Sequence, residues 1–159
     1  VKATFFIVGK KAAARKDLVY RIQEKGHLIG NHTYSRLSHM GFEGVFGRRR
    51  AMEEIEQGEA VFYAILGERP KLFRPPQGFK NHRPPYYTNG RSTSVLAEKL
   101  LRNTEPGSIV NFRDGWRTGT EWNCEKMAKA PSKIIEGLRA QGYRFVTLDE
   151  MVEEGKGKG

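Results

Sequence analysis

Two histidines, an arginine and an aspartate stand where a chain of this pattern keeps its chemistry. His32 follows a short apolar run in the stretch Gly30-Asn31-His32-Thr33-Tyr34-Ser35, and His39 lies seven residues further on. Arg74 opens the stretch Arg74-Pro75-Pro76-Gln77-Gly78, and Asp114 sits in Asn111-Phe112-Arg113-Asp114-Gly115. Each stretch begins where an apolar run ends, and α/β folds place their sites just beyond the C-terminal ends of parallel strands. His32 and His39 could ligate a metal, but zinc needs at least one further ligand, commonly a carboxylate. Asp114 is the acid at a strand end outside the terminal segment. Other readings compete: two loop histidines are more often surface groups than ligands, and Asp114 could simply brace the loop after it. Arg74 fits two roles evenly, bidentate orientation of a carboxylate or a structural salt bridge.

The elements that must position these residues alternate along the chain. Apolar runs predict strands at 3–8, 27–31, 71–73, 108–112 and 143–147. Between them, helices are expected at 11–25 with Leu18, Val19 and Ile22 on one face, and at 48–66 with Met52, Ile55, Val61, Phe62 and Ile65 apolar. Further helices are expected at 94–102 and 132–141, with a last turn at 149–153. Gly26, Gly67 and Gly142 follow three of these helices as stop signals. Residues 33–47, 78–93 and 113–126 read as loops. Strand–helix alternation of this kind means βαβ units and a parallel sheet, as an open sheet or a barrel.

A chain of 159 residues suits one domain with a proper core, and its single Cys excludes an intrachain disulfide. The chain opens inside an apolar strand without an initiator Met, which suggests a missing N-terminal piece. No signal peptide is visible, and no run is long enough to cross a membrane. The net charge is +10, and residues 1–50 hold eleven Lys/Arg against three Asp/Glu, with Arg48-Arg49-Arg50 the densest cluster. The plain reading is a solvated basic helix face. The sharper one is attraction to an anionic partner such as a cell-wall polymer or acidic glycan. Aromatic–basic interleaving of the nucleic-acid-binding kind is not evident, so nucleic acid is not the expected partner.

Residues 1–9, 26–35, 69–78, 106–115 and 142–150 together resemble the polysaccharide deacetylases, the NodB-homology or carbohydrate esterase family 4 domain. Lys-Ala-Thr-Phe-Phe, Gly-Asn-His-Thr-Tyr-Ser, Lys-Leu-Phe-Arg-Pro-Pro, Pro-Gly-Ser-Ile-Val and Gly-Tyr-Arg-Phe-Val-Thr-Leu-Asp-Glu occur in family order. The resemblance implies an α/β fold of parallel βα units forming a distorted, incomplete β/α barrel. It implies one such domain over 1–154, lacking its first strand, with 155–159 a disordered tail. It also implies a hydrolase that removes N- or O-acetyl groups from a glycan such as peptidoglycan, chitin or xylan. A divalent metal, usually zinc, assists, held in the family by an Asp and two His. The family is often extracytoplasmic or cell-surface.

Carried onto this chain, the resemblance makes His32 a metal ligand with His39 a substitute second one. It gives Arg74, Arg113 and Asp114 catalytic roles, and lets Pro76, Gln77, Asn111 and Trp116 line the substrate cleft. The departures are specific. The family's Asp-Asp pair, which supplies the base and one ligand, belongs before Val1. Arg36 stands where the second His belongs, and an arginine stays protonated and cannot ligate a cation. Gln77 stands where Tyr is frequent. The strand that usually follows the Arg-Pro-Pro motif, carrying Asp-Trp, has too little room in 79–93. Arg113 replaces the acid His of Leu-x-His-Asp; it could stabilise an oxyanion but not shuttle a proton. Weak zinc binding and slow hydrolysis are therefore expected of this chain, and a non-catalytic glycan-binding relative or fragment using its basic face is the alternative.

Overall fold

The computed structural model describes residues 1–36, 44–76, 93–112 and 124–156. Along the chain run β1 (Thr4–Ile7), α1 (Gly9–Ala14), α2 (Lys16–Glu24), β2 (Leu28–Asn31), α3 (Gly44–Leu66), α4 (Thr93–Asn103), α5 (Cys124–Ala140) and α6 (Leu148–Lys156). Two compact units divide it: Lys2–Phe79 with Val146–Gly159, and Lys80–Phe145. Among the described residues no helix is long and apolar enough to cross a membrane.

In the unit built from the chain's two ends, β1 and β2 pair in parallel, Thr4 opposite Leu28 and Ile7 opposite Asn31. Parallel pairing demands a crossover, and α1 and α2 supply it. Next to β2 the Asn31 amide donates to the Leu72 carbonyl at 2.8 Å, and the Arg74 amide donates to the Asn31 carbonyl at 2.9 Å. The third predicted strand is thus a single parallel bridge between Asn31 and Phe73. The Pro75-Pro76 pair that follows has no amide hydrogen to extend the ladder. The result is an α/β arrangement of parallel strands in a sheet that does not close.

The strands expected at 108–112 and 143–147 are not found as paired strands among the described residues. Ile109 is 62% exposed, so the first of these apolar runs lacks the burial that favours a central strand. Tyr143 and Phe145 do alternate inward, packing against the Ala97, Leu100, Ile134 and Leu138 core of the Lys80–Phe145 unit, but on helices rather than on a neighbouring strand. In that unit α4 and α5 approach closely: a Cβ on Gly137 would stand 2.5 Å from a Leu101 methyl. Helix α5 begins well before the expected start at 132 and carries Pro131 inside. An internal proline removes one backbone hydrogen bond and kinks a helix without always ending it.

The expected helix at 11–25 is two helices. Arg15 leaves the helical region (φ −137°, ψ 58°), and its guanidinium grips both Asp17 carboxylate oxygens at 2.9 and 2.8 Å. That grip holds the Asp17 carboxyl below its ordinary range. Gly26 ends α2 at φ +68°, where a side chain would be strained, and the His27 amide reaches back to the Ile22 carbonyl at 3.1 Å.

Helix α3 presents Ala51, Glu54, Gly58, Phe62 and Ile65 to the interior, a stripe at helical spacing. This is a rotated version of the expected face, since Met52 is 53% exposed. Phe62 and Ile65 pack with Ala12, Val19 and Ile29 into the core of this unit. Gly58 in the stripe leaves room for Asn31, whose Oδ1 lies 2.5 Å from where a Cβ would stand.

Helix α6 starts with one half of a capping box, the Thr147 amide donating to Glu150 Oε2 at 2.7 Å, while the Thr147 hydroxyl donates to Asp149 Oδ1. The hydroxyl bond, helped by backbone amides and Lys71, lowers the Asp149 carboxyl below its usual range. A carboxyl depressed on folding contributes stability above its unfolded value, and that contribution is lost as pH falls through the folded value. Fraying of α6 is therefore expected to begin below the ordinary carboxylate range, and Thr147→Val is expected to move its onset to higher pH, as followed by amide NMR. Gly58→Ala is expected to destabilise the protein by about 1–3 kcal/mol by overpacking against Asn31, checked by urea unfolding.

Candidate functional site

The loop after β2 is built from backbone constraints before any side chain does chemistry. The His32 amide continues the ladder to the Ile7 carbonyl at 3.0 Å. Thr33 then turns into the left-handed region (φ 65°) and so does Arg36 (φ 59°). A β-branched residue pays most for that conformation, about 1–3 kcal/mol at such sites, and Thr33 is fully buried there. Several bonds hold the turn. The carbonyls of Thr33 and Tyr34 accept from the Gly9 and Lys10 amides at 2.9 and 2.8 Å, satisfying the first turn of α1, which has no side-chain cap. The Thr33 hydroxyl accepts from the Arg36 amide at 3.2 Å.

Glu54 of α3 clamps the far side of the loop. Its carboxylate accepts from the Ser35 amide and the Ser35 hydroxyl, each at 2.7 Å, while its carbonyl accepts from the Tyr34 amide at 3.0 Å. A buried charge needs such partners, and these are charge-assisted bonds of the stronger kind. Asn31 anchors the near side, donating from Nδ2 to the Ile55 carbonyl at 2.9 Å.

His32 and Arg74 meet through the backbone. His32 Nδ1 lies 2.7 Å from the Arg74 carbonyl. A carbonyl only accepts, so Nδ1 carries a proton, and whenever the ring is neutral the lone pair is on Nε2. Fixing the tautomer through the other ring nitrogen is how metal-ligating histidines are oriented. The Arg74 side chain lies 5.9 Å above the Phe6 ring, a cation–π contact.

Of the predicted site residues, the structure brings His32 and Arg74 together, with Pro76 two residues beyond on the same strand end. Asn111 belongs to the other compact unit. His39, Gln77, Arg113, Asp114 and Trp116 lie outside the described residues. Among the described residues no three His, Cys, Asp or Glu side chains come together to hold a metal ion. His32 fits a metal by its tautomer, as one ligand of a set that the described residues do not complete. Sequence reading missed the positioning residues Asn31 and Glu54. Their signal was present as polar residues set at the interior spacing of a strand and of a helix.

The sequence profile of the polysaccharide deacetylase family matches residues 1–90. A peptidoglycan-N-acetylglucosamine deacetylase of Bacillus cereus is 31% identical over 98% of this chain, which spans 60% of that relative's length. A solved peptidoglycan N-acetylglucosamine deacetylase superposes with a TM-score of 0.75 at 28% identity, covering 95% of this chain and 75% of that one. A family 4 acetyl xylan esterase from Clostridium thermocellum, solved with a cobalt ion, superposes with a TM-score of 0.74 at 26% identity, covering 95% of this chain and 77% of that one.

Glu54→Ala leaves the Ser35 amide and hydroxyl without their acceptor and is expected to cost about 1–3 kcal/mol. Faster exchange of the Ser35 amide should accompany the loss, with β1 and β2 amides unchanged, and Glu54→Gln should recover part of both.

Proposed function

The chain belongs to the polysaccharide deacetylase family, and from that membership we propose that it carries the metal-assisted chemistry of removing acetyl groups from a glycan. The observation that carries this reading is the His32–Arg74 contact of 2.7 Å at the C-terminal end of a parallel strand. It gives His32 the tautomer a metal requires. A divalent metal, zinc by family resemblance, supplies a water of lowered pKa and a polarised acetyl carbonyl when bound. His32 would hold it through Nε2, while the Arg74 carbonyl keeps the ring from turning. The relatives' named substrates, peptidoglycan and acetylated xylan, define the substrate class.

The sequence as it stands supplies His32, with His39 as a second ligand only if the intervening loop brings it in. Arg36 adds a positive charge four residues from His32, which opposes a dication. That charge lowers the affinity for zinc, and turnover with it. The second reading, glycan binding without hydrolysis, draws its support from the same Arg36.

The test is zinc titration by calorimetry combined with acetate release from an acetylated chito-oligosaccharide and from peptidoglycan. Weak zinc binding with slow, zinc-dependent acetate release is expected. Loss of an outer-shell partner typically costs a metal site about 10–100-fold in affinity, and His32→Ala should cost at least that. Glycan binding with no acetate release at saturating zinc would select the second reading.

A further inference from the structure

Ala3 stands at the start of the parallel sheet, and both of its backbone polar groups are taken up by the opposite strand's first residues. Its carbonyl accepts from the Leu28 amide at 2.9 Å. Its amide donates to Nδ1 of the His27 ring at 3.2 Å. In a parallel ladder of this register that amide would donate to the Gly26 carbonyl. Gly26 instead turns at φ +68° to close α2, and a side chain takes the place of the missing backbone rung. The ring is half-buried and stands edge-on to Phe5, with centroids 5.2 Å apart. Directly after Ala3, the Thr4 hydroxyl accepts from the Leu148 amide of α6 at 3.2 Å. The first rung therefore ties β1 to β2 and adjoins the link to α6.

A backbone amide only donates, so Nδ1 of His27 holds a lone pair and the neutral ring carries its proton on Nε2. This is the reverse of His32, whose Nδ1 faces a carbonyl. A further proton would go to Nδ1 and meet the Ala3 N–H head-on. An imidazolium donates from both nitrogens and accepts at neither, so the bond and the added proton exclude each other. Beside the ring a cavity of about 230 Å³ is lined by Lys2, which precedes β1, and by Asp149 and Glu150 of α6. The Lys2 ammonium lies against Gly26, and Lys71 acts on Asp149 as well. On the α2 side Glu24 and Lys25, both exposed, precede Gly26. The cavity sets two carboxylates against one ammonium, so a charged ring released from Ala3 meets acceptors there.

We propose that His27 is a proton-operated latch at the N-terminal end of β1. Neutral, the ring fastens Ala3 to the start of β2. Protonated, it releases the amide and the first rung opens, with the Thr4 link to α6 loosened beside it. The far end of β1, where the Ile7 carbonyl accepts from His32, stays paired. The latch turns on the charge change that imidazoles make within about pH 8 to 5, and it stands independently of the deacetylase reading.

The experiment is hydrogen exchange of the Ala3 and Leu28 amides by NMR across about pH 8 to 5, each rate referred to an unstructured peptide at the same pH. Protection of both amides should fall about two- to tenfold toward the acid end, the loss of one ordinary hydrogen bond. The Asn31 amide, bonded to Leu72 at the other end of β2, should keep its protection. His27→Leu neither accepts nor titrates and should hold the low level at every pH. His27→Asn offers a carbonyl oxygen that accepts without titrating and should give a flat profile at a higher level. Both variants retain Asp149 and Glu150, so carboxylate titration is separated from that of the ring. Should His27→Leu not fold, the wild-type and His27→Asn profiles decide the matter between them. A flat wild-type profile, a fall that persists in either variant, equal protection in the two variants, or a parallel fall at Asn31 would each overturn the latch.

Discussion

Asn31 ties three backbones at one point. Its amide and carbonyl join β2 to the segment around Phe73, and its side chain holds the Ile55 carbonyl of α3. It is 1% exposed, so these bonds form in a low-dielectric setting where each counts for more and a lost partner costs more. Among the buried side-chain atoms described, Asn31 Oδ1 has no hydrogen-bond partner. It faces Gly58, where only a hydrogen fits. The arrangement accepts one unsatisfied acceptor in return for bringing helix and strand end together. His32 inherits its position from this knot because it is the next residue.

Beyond the knot the chain stores strain and restrains it. Thr33 and Arg36 both sit at positive φ without being glycine, a conformation that relaxes unless neighbours hold it. The restraint comes from two directions. Helix α1 donates its first amides to the loop, and α3 contributes Glu54. Loop and helices are mutually dependent: α1 has no side-chain cap and takes the loop carbonyls instead. A loop held in this way behaves as part of the scaffold, which is what a precisely placed ligand demands.

The parts of this design that could be read from sequence are those written in residue type and period. The apolar runs marked β1 and β2, Gly26 marked the end of α2, and Pro75-Pro76 marked the end of the third parallel segment. The face of α3 was misjudged because two of its interior positions are Glu54 and Gly58. Polar and small residues count against burial in any periodicity argument, yet here each is interior for a particular partner, Ser35 in one case and Asn31 in the other. The run at 108–112 misled in the opposite way: apolar residues predicted a paired strand, and Ile109 is exposed. Composition reports what could be buried, whereas pairing depends on neighbours that local sequence does not name.

The meeting of His32 with Arg74 shows the same division at the site itself. The motif reading assigned Arg74 its role through the guanidinium. The contact to His32 runs through the Arg74 carbonyl, a group every residue type possesses, while the guanidinium lies over Phe6. The proline that follows gives the carbonyl its value. A residue before proline is held near the extended region, which keeps the Arg74 carbonyl directed sideways from the strand, toward the neighbour that carries His32. The identity of residue 74 and the orientation of His32 are therefore separable. The ring is set by strand geometry and Pro75, and the arginine side chain is left to packing and charge at the mouth of the same strand end.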